Sequence, residues 1–243
     1  MKNTILLFLI GAIALVFIAA CTSPQRSTSE VSVLDDITEM HQAQPNADEI
    51  MQLFDLGTDK WNGASFTFAY ITDVSYNRQT HFTLAQGGSR LTSSTFTRDK
   101  EVKHFSDSIA AFFQSLKSDT VGRPHSSVYV PLAEELNRLS ASPAKEKTLL
   151  VYSDFMENET TLSFYDKKTL SLLASNPDKI KSLFSAKVPL KKLNGINVHF
   201  ISQPQNAQED ATFRLVSGFY KKLLEEHGAN VSISANVAIA KNN

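Results

Sequence analysis

The segment that most narrows the folds open to this chain is Lys147 to Asn158, K-T-L-L-V-Y-S-D-F-M-E-N. Leu149 to Tyr152 follow one another with no polar residue between them, which suits a strand buried on both faces of a parallel sheet. The run stops abruptly at Ser153-Asp154. Open α/β sheets gather their ligands outside the carboxyl ends of the strands, so an acid at that place is a candidate functional residue.

The segments on either side extend the pattern. Val31 to Asp36 is a short apolar run that ends in acids and predicts a first strand. Asn46 can cap a helix carrying Asp48 and Glu49 in its first turn, with Ile50, Leu53 and Phe54 inward and Gly57 at its end. From Ser65 the period drops to two. Phe66, Phe68 and Tyr70 alternate with smaller residues, and Thr80 to Ala85 form a second such run, predicting a hairpin turned at Tyr76-Asn77-Arg78. Val102, Phe105, Ile109, Phe112, Phe113 and Leu116 share one helical face. A further helix has Pro131 in its first turn and Leu132, Leu136 and Leu139 inward. Beyond the organising strand come two short helical segments over Asp166 to Ala186, a strand at Gly195 to Ile201, a long helix through Phe213 and Leu224, and a last strand over Asn230 to Val237. Strands alternating with helices imply a doubly wound α/β fold: a mostly parallel sheet with one antiparallel edge strand and helices on both faces.

The first residues belong to a different kind of segment. Lys2 precedes an apolar run of 16 residues, Ile5 to Ala20, too short and wrongly flanked for a spanning helix. It ends in Ile18-Ala19-Ala20 before Cys21, the single cysteine. This resembles a bacterial lipoprotein signal, which implies cleavage after residue 20 and lipidation of Cys21, and hence a place in the cell envelope, on the outer membrane. Several acyl chains on one residue anchor stably where one chain does not. With its only cysteine used in this way the chain forms no disulfide and must hold by its core. Residues 21–30, rich in Ser and Thr, read as a tether, residues 31–237 as one domain and residues 238–243 as a tail. Without Lys2 the 24 basic residues become 23 against 25 acidic ones, so no nucleic-acid footprint is expected.

Three strand-end loops carry oxygen donors: Asp35-Asp36-Ile37-Thr38, Ser126-Ser127 ahead of the Pro131 helix, and Ser153-Asp154. Brought together they suit a hard divalent cation such as Mg²⁺ or Mn²⁺, with water completing the shell. The plainer alternative is that Asp36, Thr38 and Asp154 cap loops and bind backbone amides, as these residue types often do. Other chemistries fit less well. Asp35-Asp36-Ile37-Thr38 has the wrong spacing for a D-x-D-x-T phosphatase, and adjacent strand acids point to opposite faces, which defeats a glycosidase pair. The six histidines show no H-x-x-x-H spacing for zinc, and Gly87-Gly88 lacks the frame of a phosphate-binding loop. His125 beside Ser126 lacks nucleophile-elbow glycines and reads as a loop histidine. Trp61 reads as a rim residue packed on a helix.

Over residues 31 to 237 the chain is similar to the von Willebrand factor A domain family. That family's metal-ion-dependent adhesion site uses D-x-S-x-S after the first strand, a Thr in a later loop and an Asp after the fourth strand. Asp36-Ile37-Thr38-Glu39-Met40 matches the first two donors and puts Met40 where the second Ser belongs; Ser126 stands at the Thr and Asp154 at the late Asp. The resemblance implies a protein-binding module rather than an enzyme, in which Asp36, Thr38, Ser126 and Asp154 hold a cation that a carboxylate of an unidentified partner protein completes. The membrane is reached through lipidated Cys21. The alternatives are a structural lipoprotein on an inert scaffold of the same kind and, last, a hydrolase.

Overall fold

A computed structural model of the chain describes residues 26–38, 43–72, 79–88, 93–116 and 126–237. The expectations for the signal segment, Cys21, Met40, the turn at Tyr76 to Arg78, His125 and the tail fall outside these residues. Six strands, β1 (Thr28–Asp36), β2 (Gly63–Ile71), β3 (Gln79–Leu84), β4 (Glu146–Tyr152), β5 (Ile196–Ile201) and β6 (Asn230–Ser234), form one sheet in the order β3-β2-β1-β4-β5-β6. All neighbours pair in parallel except β2 with β3, the antiparallel edge pair. The expected architecture is therefore the observed one.

Between the strands lie α1 (Ala47–Met51), α2 (Thr95–Leu116), α3 (Tyr129–Ala141), α4 (Lys167–Ser175), α5 (Pro177–Lys187) and α6 (Ala207–Glu226). Alternation along the strands splits the core in two. Leu34, Leu149, Val151, Val198 and Phe200 face one side, where α3 to α6 cover them. Val31, Val33, Phe66, Phe68, Leu150 and Tyr152 face the other, under α1 and α2. Successive residues of a strand point to opposite faces, so burying every residue of Leu149–Tyr152 requires helices on both. No described helix is long and apolar enough to cross a membrane.

Local departures from the sequence reading have physical causes. Strand β1 begins at Thr28, so the last residues of the expected tether are strand; Lys145 donates to the Thr28 carbonyl and Gly63 to that of Ser27. Helix α1 stops at Met51, short of Gly57, because Leu53 and Phe54 bond back three residues and tighten the chain into turns. That leaves Phe54 edge-on to Phe105 of α2, ring centroids 5.4 Å apart. The last strand ends at Ser234, short of Val237, whose side chain is buried in the core under α1 and α2. Trp61 is buried just ahead of β2.

Candidate oxygen-donor site at the sheet rim

Strands β1 and β4 are neighbours and end at the same rim, Asp35 lying opposite Tyr152 in register. The residues that follow these two in the chain, Asp36 and Ser153, are buried, and the Ser153 hydroxyl donates to Asp36 Oδ2 at 2.8 Å. Asp36 Oδ1 accepts from the Thr38 amide at 3.1 Å and the Thr38 hydroxyl at 2.6 Å, a closed turn that folds the end of β1 back on itself. The Ser126 hydroxyl reaches Oδ2 from a third segment, at 3.5 Å. One buried carboxylate thus gathers three hydroxyls from three loops.

Backbone bonds hold the Ser126 segment in place. Ser127 donates its amide to the Thr72 carbonyl beyond β2, and Asn158 donates to the Ser126 carbonyl in an isolated bridge. The Ser127 hydroxyl is buried without a hydrogen-bond partner among the described residues. Helix α3 follows at once, and its N-cap, Val128, has no side-chain oxygen to offer. Glu157 takes that role from across the chain. Its carboxylate accepts from the Val128 amide at 3.2 Å, the Tyr129 amide at 2.6 Å and the Tyr220 hydroxyl at 2.8 Å. Burial raises its pKa to about 7, against the lowering effect of the Tyr220 and Tyr129 hydrogen bonds. The sequence reading missed Glu157. The available signal was a helix start, S-V-Y-V-P, with an apolar residue at the cap, which requires a donor-satisfying group from elsewhere.

Asp154 follows Ser153, and its Oδ1 accepts from the Met156 amide at 2.9 Å. Between them Phe155 takes a left-handed backbone, φ 63°, a conformation that costs a non-glycine residue roughly 1 kcal/mol. Its fully buried ring, 4.2 Å from that of Phe200 and 5.3 Å from that of Tyr220, offsets the strain. The turn keeps Asp154 at the rim while Phe155 enters the core. Asp154 also lines a cavity of about 270 Å³ with residues that follow β5 and open α6.

Of the residues expected at the site, Asp36, Thr38 and Ser126 form one hydrogen-bonded group, and Asp154 stands beside its fourth member, Ser153, which sequence reasoning had counted only among the loop hydroxyls. Among the described residues no three His, Cys, Asp or Glu side chains cluster as metal ligands. The donors at Asp36 are a carboxylate and hydroxyls, the hard oxygen chemistry of Mg²⁺ and Mn²⁺ rather than of zinc. Asp35, on the opposite face, is buried with Oδ1 unpartnered among the described residues, and burial together with the Asp36 charge lifts its pKa to about 7. Its register neighbour Tyr152 is buried with an equally unpartnered hydroxyl.

No family model and no curated relative matches the chain. Among solved structures it is similar to the D319A mutant of the PilB minor pilin from Streptococcus sanguinis, at 12% sequence identity and a TM-score of 0.45. The match covers 91% of this chain and 61% of the pilin chain, so the protein spans about three fifths of that structure's length.

Proposed function

We propose that this protein is a lipid-anchored binding module of the von Willebrand factor A kind, held in the bacterial envelope through Cys21, which engages a partner protein at the carboxyl rim of its sheet. In this reading Asp36, Thr38, Ser126 and Asp154 hold Mg²⁺ or Mn²⁺, with the Ser153 hydroxyl adjoining, and an acidic group of the partner completes the shell. The observation that carries the reading is the buried Asp36 carboxylate, met by hydroxyls from three separate loops at one rim. The test is calorimetric titration of the full chain, in non-ionic detergent, with Mg²⁺ and Mn²⁺. Saturable heat that disappears in Asp154→Ala is the expected result. No heat from the native chain, or unchanged heat in the variant, removes the cation.

One observation favours a second reading, an inert rim on a structural lipoprotein. Both oxygens of Asp36 already accept protein donors, so the carboxylate is satisfied as it stands. The two readings differ in one measurement. Only the first has the thermal midpoint of the full chain rise with added Mg²⁺, by mass action on the folded state.

A further inference from the structure

The cavity beside Asp154 shares that one residue with the proposed cation shell and is otherwise built from different residues. Its apolar surface comes from Met156 and Phe213, both largely buried, from Pro204, and from Tyr165, a residue 54% exposed. Two carboxylates, Asp154 and Glu209, line it together with the neutral amides of Gln203, Gln205 and Gln208, and among the described residues no Lys, Arg or His lines it. At about 270 Å³ it falls just below the roughly 300–1,000 Å³ of small-molecule and cofactor sites, and suits one long side chain.

The start of α6 opens on this cavity, and a helix start ordinarily favours an anion. Here two of those donors are already engaged. Gln208 and Glu209 give their amides to Asn206 Oδ1 at 3.0 Å each, and Gln205 gives its amide to Glu209 at 2.7 Å. An anion entering would meet two carboxylates and none of those amides. A cation with an apolar stem meets acids at the wall, aliphatic and aromatic surface along the stem, and an exposed tyrosine.

We infer that this cavity is a socket for an arginine side chain presented by the partner protein, next to the rim site. The planar guanidinium stacks on aromatic faces and bridges carboxylates better than an ammonium does. The inference rests on the binding-module reading for the existence of a partner; it shares Asp154 with the proposed cation site, so its test is run with the cation removed.

The test follows backbone amide shifts of the isotope-labelled full chain in detergent, with EDTA present, during titration with L-arginine amide, and with norleucine amide as the uncharged control. The expected result is millimolar binding of arginine amide that shifts Met156 and Phe213, weakens with added salt, and is about tenfold tighter than that of norleucine amide. Glu209→Gln is expected to weaken it about tenfold. Because Glu209 also caps α6, Gln208→Lys provides the second variant; it sets the chain's own ammonium in the socket and is expected to abolish binding with helix content unchanged. Equal affinity for the two amides, no shift at Met156 and Phe213, or undiminished binding in Gln208→Lys overturns the inference. Neither Glu209 nor Gln208 is a proposed metal ligand, so Mg²⁺ heat retained in both variants separates this failure from failure of the cation reading.

Discussion

Asp35 is the residue at which this fold has most to lose or gain. It sits one position before Asp36 on β1, and strand alternation sends its side chain to the other face, where one oxygen has no partner among the described residues. A carboxyl whose pKa rises on folding, here from 3.8 to about 7, binds a proton as the chain folds between those two values. Its contribution is therefore greatest below about 4, declines as the pH climbs, and levels off above about 7. Asp35→Asn removes that dependence. Near pH 4 the variant and the native chain are expected to unfold at similar urea concentrations; at pH 8 the variant is expected to be more stable, by roughly 4 kcal/mol. A difference that does not grow between pH 4 and pH 7 would show that Asp35 is solvated in the folded state.

At the scale of elements, two arginines, Arg98 buried and Arg138 half-buried, tie helices to the sheet. Arg98 of α2 donates to the carbonyls of Lys60 at 2.6 Å, Asn62 at 2.6 Å and Ala85 at 2.9 Å, joining the entry of β2 and the exit of β3 to the helix that covers them. Close approach of backbone completes the joint: a Cβ on Gly87 would stand 2.4 Å from the Trp61 ring. On the other face Arg138 of α3 bonds Glu30 and Ser32 of β1 as well as Glu135. Burial alone would lower its pKa, but the hydrogen bonds and charges of Glu135 and Glu30 outweigh this and raise it. Arg98→Met keeps much of the stem's packing and leaves three carbonyls without their donor. The expected loss is about 3 kcal/mol in urea unfolding, since each buried unsatisfied group costs about 1–3 kcal/mol and some admit water. A loss under about 0.5 kcal/mol would mean that water replaces all three bonds.

Across the whole molecule, Asp35 and Glu157 lie on opposite faces of one sheet, and both are held near a pKa of 7 by burial. Glu157 has the same sign as Asp35: folding takes up a proton between 4.5 and about 7, so its contribution also falls as the pH rises through that window. With no partner in common, their effects on stability are expected to add. The double variant Asp35→Asn, Glu157→Gln should lose the pH dependence of both, and its change in stability between pH 4 and pH 8 relative to the native chain should equal the sum of the two single changes, read from urea midpoints at pH 4, 6 and 8.

The sequence alone was enough for the architecture, because an apolar run such as Leu149–Tyr152 can be buried only between two helical layers, and period-two and period-3.6 stretches tell strand from helix locally. It also marked Asp36, Thr38, Ser126 and Asp154, since acids and hydroxyls at strand ends are visible as abrupt stops in those runs. Only the tertiary structure decided that Ser153 completes the group on Asp36, that Glu157 caps α3 from 28 residues away, and that Glu209 joins Asp154 around one cavity. Those pairings depend on which strands lie side by side and where each loop is pinned. Hydrogen bonds between residues far apart in the chain leave no periodicity in it, so folding had to bring them together before they could be seen.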